Sequence, residues 1–155
     1  MPVTLHNEIE IAVTAKDLFN YVTQPGQWHE WHPSSKSATP AQGSLSAGDE
    51  FEELIEVQPL APLPPRMLRT THYKVVECVP FQTWAVEGKM KDGWIRIHYD
   101  FEEKGRVTFF ARTLDFSVSG PNRILMPVLR AKMDKISLIA LKNLKQKLEA
   151  RPDEP

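Results

Sequence analysis

Two charged side chains interrupt rows that are otherwise apolar. In Phe51-Glu52-Glu53-Leu54-Ile55-Glu56-Val57, the alternate positions Phe51, Ile55 and Val57 share a face with Glu53, while Glu50, Glu52 and Glu56 line the other. Between Val107 and Val118 the row Phe110, Leu114, Phe116 and Val118 includes Arg112. Taking an ionised group out of water costs several kcal/mol unless it is paired. An inward Glu53 and Arg112 would pair with each other or with the head group of a bound molecule. A guanidinium presents a planar fork of donors, which suits a carboxylate or enolate oxygen. For Arg112 the alternative is a β-bulge that turns it to solvent and puts Val107, Phe109 and Ala111 inside. For Glu53 it is a strand end near the rim.

Histidine supplies a third candidate. His29 and His32 are three residues apart, and His6, His72 and His98 lie elsewhere. A zinc site needs at least one more ligand than His-x-x-His provides, so no metal is expected. His32 is better read as a polar group near a cavity mouth, where imidazole titrates close to neutrality. Cys78 reads as a small buried hydrophobe. No glycine-rich phosphate loop, Gly-x-Ser-x-Gly elbow or triad spacing is present, and no cofactor is expected.

The elements that must carry these residues follow from periodicity. Residues 3–11 alternate, with Val3, Leu5, Ile9 and Ile11 on one face, as in a half-buried strand. Thr14 followed by Asp17 opens a short helix through Leu18, Phe19 and Val22, which Pro25-Gly26 stops. A helical turn then carries Trp28 and Trp31. From about Gly48 to Val118 the pattern is strands joined by short turns at Val79-Pro80, Asp92-Gly93 and Lys104-Gly105, an antiparallel meander of about six strands in all. Beyond Pro127 the period becomes 3.6, with Leu125, Leu129, Met133, Ile136, Ala140, Leu144 and Leu148 in one row. Arg130–Ala150 lacks Gly and Pro and predicts one helix of roughly 20 residues, with Pro127 in its first turn or kinking it. The segment Pro59-Leu60-Ala61-Pro62-Leu63-Pro64-Pro65 reads as a stiff exposed loop. Residues 1–150 form one domain on this reading, and 151–155 a disordered tail.

Composition narrows the function classes. The 155 residues hold 19 Lys+Arg against 20 Asp+Glu, a net charge of −1, so there is no basic surplus for a phosphate backbone and no nucleic acid is expected. No stretch approaches the roughly 20 apolar residues of a membrane span. The start lacks the basic residues and apolar run of a signal peptide. Cys78 alone makes no internal disulfide. A cytoplasmic protein is the simplest placement, as a monomer or homodimer.

The order strand, two short helices, strands, long helix resembles the helix-grip fold of the START-like, or SRPBCC, superfamily. The similarity is greatest to its polyketide cyclase/dehydrase and lipid-transport group. It is carried by Ile9-Glu10-Ile11, Ala15-Lys16-Asp17-Leu18-Phe19, Pro25-Gly26-Gln27-Trp28-His29-Glu30-Trp31-His32-Pro33, Gly48-Asp49-Glu50-Phe51, Tyr73-Lys74-Val75, Tyr99-Asp100-Phe101-Glu102 and Leu141-Lys142-Asn143-Leu144-Lys145. The resemblance implies an α+β fold: a curved seven-stranded antiparallel sheet around the long C-terminal helix, with an elongated cavity for an apolar ligand. The group shares no catalytic signature, and a fold does not fix a function.

The reading that follows is a binding module enclosing a small hydrophobic molecule of lipid, polyketide or aromatic class. Its expected wall is Trp28, Trp31, Phe51, Trp84, Ile97, Tyr99, Phe110, Leu129, Met133 and Ile136. The second reading is a cyclase/aromatase-type enzyme in the same cavity. There Glu53 or His32 would move protons, and Arg112 or Tyr99 would stabilise an enolate. The third is an interaction protein using the proline-rich loop.

Overall fold

The computed structural model describes residues 3–40, 43–57, 66–90, 93–120, 124 and 126–150. Strand β1 (Val3–Ile11) leads into helix α1 (Ala15–Val22) and a 3-10 turn (Pro25–Glu30). Strands β2 (Ser35–Thr39), β3 (Glu50–Val57), β4 (Met67–Val79), β5 (Thr83–Met90), β6 (Gly93–Lys104) and β7 (Val107–Val118) follow, then helix α2 (Met126–Glu149). The strands form one antiparallel seven-stranded sheet in the order β1-β7-β6-β5-β4-β3-β2. Every pairing from β2 to β7 joins neighbours in sequence, and β1 closes onto β7. The sheet curves as a half-barrel with α2 on its inner side, the helix-grip arrangement.

Local chemistry explains the boundaries. Thr14 Oγ1 accepts from the Asp17 N–H at 3.1 Å, satisfying a donor that the first turn of α1 leaves open. Gly105 sits at φ 64° between Lys104 and Val107, a left-handed backbone that glycine adopts without strain. Sheet irregularities fall between Val75 and Glu77 and between Ser35 and Ser37. No bulge interrupts β7, so its Phe110–Arg112–Leu114 row stays on the inner face and the solvent-facing alternative for Arg112 does not arise.

The helix grips unevenly. Ser137, Ala140, Leu141, Leu144 and Leu148 are buried, whereas Leu129, Met133 and Ile136 are half-buried. Lys145 Nζ reaches the Glu10 carbonyl at 2.6 Å, and Asn143 Nδ2 reaches the Trp31 carbonyl at 3.1 Å, tying the C-terminal half down. Near the other half, Asn7 Nδ2 donates to Asp134 Oδ1 at 3.3 Å. Half-buried apolar residues also collect where β3 ends, β4 and β6 begin and β7 ends: Ile55, Val57, Met67, Ile95 and Val118. The chain passes from that end of the sheet into α2, so the less buried half of the helix and the less buried end of the sheet go together.

Several expectations shift. α2 runs 24 residues from Met126, with Pro127 in its first turn, longer than the Arg130–Ala150 pattern alone predicts. The Ser35–Thr39 strand escapes the periodicity reading because Ser-Lys-Ser-Ala-Thr carries almost no apolar signal. Cys78, read as a buried hydrophobe, is only partly buried. Leu125, the Pro59–Pro65 loop and the tail 151–155 lie outside the described residues.

Gly88 of β5 has a packing role. A Cβ there would lie 2.7 Å from two Tyr73 ring carbons and 2.9 Å from Thr71 Cγ2. The Tyr73 ring has little freedom to yield, because it stacks on Phe51 with centroids 4.9 Å apart. Gly88→Ala is expected to destabilise the fold by about 1–3 kcal/mol through overpacking. Urea denaturation checks this, and a loss below about 0.5 kcal/mol would show that Tyr73 moves freely.

Candidate functional site

The curved sheet converges side chains from distant strands. Arg112 of β7 lies opposite Asn7 of β1 and Tyr99 of β6 in register, and Glu53 of β3 lies opposite Thr71 of β4 and Ala38 of β2. Both charged residues are buried, each 6% exposed. Arg112 donates from Nη1 to Ser137 Oγ of α2 at 2.9 Å and also bonds to the Tyr99 hydroxyl. Its charge reaches Glu53, Tyr73, Tyr99 and His32. These groups therefore form one electrostatic neighbourhood.

The expected Glu53–Arg112 contact is not made. Among the described residues no carboxylate oxygen stands within 4.0 Å of the guanidinium, so the two charges share the interior without an ion pair. The physical reason is that Arg112 is held by the helix and β6, away from β3. Burial pushes the Glu53 carboxyl up to about 7, and the nearby Ser35 and Arg112 only partly oppose that. Ser35 Oγ lies close enough to favour the charged carboxylate without reaching hydrogen-bond geometry. Burial also raises Tyr99 to about 12 and Tyr73 well above its usual range. His32, half-buried, is pushed down to about 3, first by burial and then by the Arg112 charge. Its Nδ1 accepts from the Ser34 N–H at 3.2 Å, which leaves the imidazole proton on Nε2.

Among the described residues three buried polar atoms have no hydrogen-bond partner in the protein: Arg112 Nε, Ser35 Oγ and Trp31 Nε1. Buried polar groups in native proteins are usually satisfied, so such atoms mark where a ligand or water is wanted. Ser35 and Arg112 both act on Glu53, so these two orphans belong to one neighbourhood. The other two inner tryptophans differ. Trp28 Nε1 donates to the Val22 carbonyl at 2.8 Å and Trp84 Nε1 to the Leu45 carbonyl at 2.9 Å.

The structure distributes the remaining candidates unequally. Trp28, Trp31, Phe51, Trp84, Ile97, Tyr99 and Phe110 are buried in one cluster. Trp84 stacks on Tyr99 at 5.4 Å, and Trp28 meets Phe51 edge-on at 5.5 Å. Leu129, Met133 and Ile136 stand on the less buried half of α2. His29 is exposed and so diverges from His32. Among the described residues no group of three or more His, Cys, Asp or Glu could hold a metal ion. Sequence reasoning missed Ser35, Arg69, Thr71, Tyr73 and Ser137. Arg69 and Thr71 share the Tyr73 row of β4, and Ser137 stands among buried apolar residues of α2. The signal that exposes Glu53 and Arg112, a polar residue in an apolar row, would have found Ser137 and Arg69 as well.

A family model for polyketide cyclase/dehydrase and lipid transport proteins matches residues 2–149. The chain belongs to that family. Solved structures share the START-like fold. The Zhui aromatase/cyclase from Streptomyces sp. R1128 superposes with a TM-score of 0.75 at 11% identity, covering 97% of this chain and 96% of that one. A START superfamily protein from Mycobacterium smegmatis gives 0.71 at 14% identity, covering 94% and 98%. The Aha1 dimer from Colwellia psychrerythraea gives 0.61 at 17%, covering 96% and 97%. At these identities the likeness is one of fold. No curated protein matches the sequence significantly. No helix among the described residues is long and apolar enough to cross a membrane.

The raised Glu53 pKa gives a stability test. Between the unfolded carboxyl value and about 7 the folded state binds the extra proton, so Glu53 lowers stability as pH rises through that window. His32 acts oppositely between about 3 and 6.5, because there the unfolded state holds the proton. Comparing Glu53→Gln with the parent at each pH cancels the His32 contribution. The variant is expected to gain relative stability from about pH 5 to about pH 8, by about 3 kcal/mol at most. Denaturant melts at both pH values check this, and a pH-independent difference would contradict a desolvated carboxyl.

Proposed function

We propose that this chain is a binding module that encloses a small apolar molecule between the sheet and α2, with the molecule's polar end at the Arg112–Glu53 cluster. The observation that carries this reading is the set of three unpartnered buried polar atoms among the described residues. A folded protein has no reason to bury a guanidinium without an acceptor for Nε unless something else supplies one. The half-buried residues Ile95, Val118, Leu129 and Met133 give the route by which an apolar body would reach that cluster. Apolar burial would supply affinity, and the polar groups would set orientation. Family membership supports both ligand binding and lipid or polyketide chemistry.

A second reading rests on Glu53. A buried carboxyl titrating at about 7 exchanges protons readily at neutral pH, and the Arg112 guanidinium would stabilise negative charge on an enclosed substrate. Binding is common to both readings and is tested first. Met133 packs against the core from the less buried half of α2. Met133→Trp is expected to weaken binding of the neutral dye Nile red by about fivefold, roughly 1 kcal/mol, with the fold retained by circular dichroism. Unchanged dye affinity in the folded variant would place binding elsewhere.

A further inference from the structure

Resting on that binding reading, we infer that the polar end of the enclosed molecule is a carboxylate, held by the Arg112 guanidinium and the Ser35 hydroxyl. The unpartnered atoms share one property: each carries a hydrogen, and only the Ser35 hydroxyl has an acceptor nearby, the Glu53 carboxyl. Arg112 Nε and Trp31 Nε1 are donors only, and Ser35 Oγ carries a rotatable hydrogen. What Arg112 Nε and Trp31 Nε1 lack is an acceptor. An alcohol or amide would bring a donor of its own into this donor-rich corner, whereas an ionised carboxylate brings two oxygens and only lone pairs.

Charge points the same way. Arg112 is permanently cationic, only 6% exposed, and among the described residues has no carboxylate within ion-pair distance. The polar groups that surround it from every packed element are neutral or distant: Tyr99 on β6, Tyr73 and Thr71 on β4, Ser137 on α2, the His32 imidazole after the 3-10 turn, and Glu53 across the sheet on β3. Asp134 of α2 is occupied by Asn7. An anionic ligand would supply the missing counter-charge with the geometry that a guanidinium accepts. The aromatic and aliphatic lining then selects the rest of the molecule as apolar, so the ligand class is an amphipathic monocarboxylic acid.

Matched acid and ester probes separate this inference from the reading beneath it. Nile red bound to the wild-type chain would be displaced by decanoic acid and by methyl decanoate, and by 2-naphthoic acid and its methyl ester. Within whichever pair binds, the acid is expected to win by about tenfold or more. Arg112→Gln should abolish that preference, leaving acid and ester equal within about twofold. Equal displacement by acid and ester in the wild-type chain overturns the carboxylate and leaves the apolar cavity standing. Displacement by no probe of either kind overturns the cavity and the carboxylate together. Should Arg112→Gln fail to fold, carbon-13 NMR of labelled decanoic acid bound to the wild-type chain decides instead. Its carboxyl is expected to titrate below its value free in water, and an unshifted or raised value overturns the inference.

Discussion

Taking a guanidinium out of water without giving it a carboxylate costs several kcal/mol, and the interior of this protein is arranged around that cost. Arg112 stays on the inner face because β7 runs without a bulge between β1 and β6. It is kept in place by Ser137 on α2 and Tyr99 on β6, the two elements that flank it from above and beside. That choice of partners leaves Glu53 on its own across the half-barrel. The same electric field holds His32 neutral and opposes ionisation of nothing else nearby. Burial thus sets the protonation of the groups that would handle a ligand, and the buried cation adjusts it.

The uneven grip of α2 completes the design. Its C-terminal half is anchored by apolar packing and by polar ties to Glu10 and Trp31, so the fold's stability resides there. Its N-terminal half is less buried, as is the adjoining end of the sheet. Low local burial also means low local stability, so this end of the domain opens more easily than the anchored half. Ser137 stands where these halves join, so the helix couples the anchored region directly to the guanidinium.

Much of this was legible in the residues. Alternation gave six of the strands, and the 3.6 period gave the long helix, because each buries one continuous face. Glu53 and Arg112 announced themselves as charges in apolar rows. The Glu53–Arg112 contact was not legible, since facing strands in a curved sheet differ in height and side-chain reach, and sequence carries neither. Ser35 was hidden in a strand whose small polar residues carry no periodic signal. The difference between Trp31 and its neighbours Trp28 and Trp84 was also invisible, because it depends on which backbone carbonyls lie beside each indole. Polar satisfaction is a tertiary property, and no single strand's pattern carries it.

The central claim is that Arg112 and Glu53 occupy one interior without neutralising each other. Carbon-13 NMR titration of the Glu53 side-chain carboxyl in the ligand-free protein measures this directly. With the charges apart and burial dominant, the carboxyl should titrate at about 7. A value at or below the ordinary carboxylate range would mean that Arg112 pairs with Glu53 after all, and the acceptor-starved site would not exist.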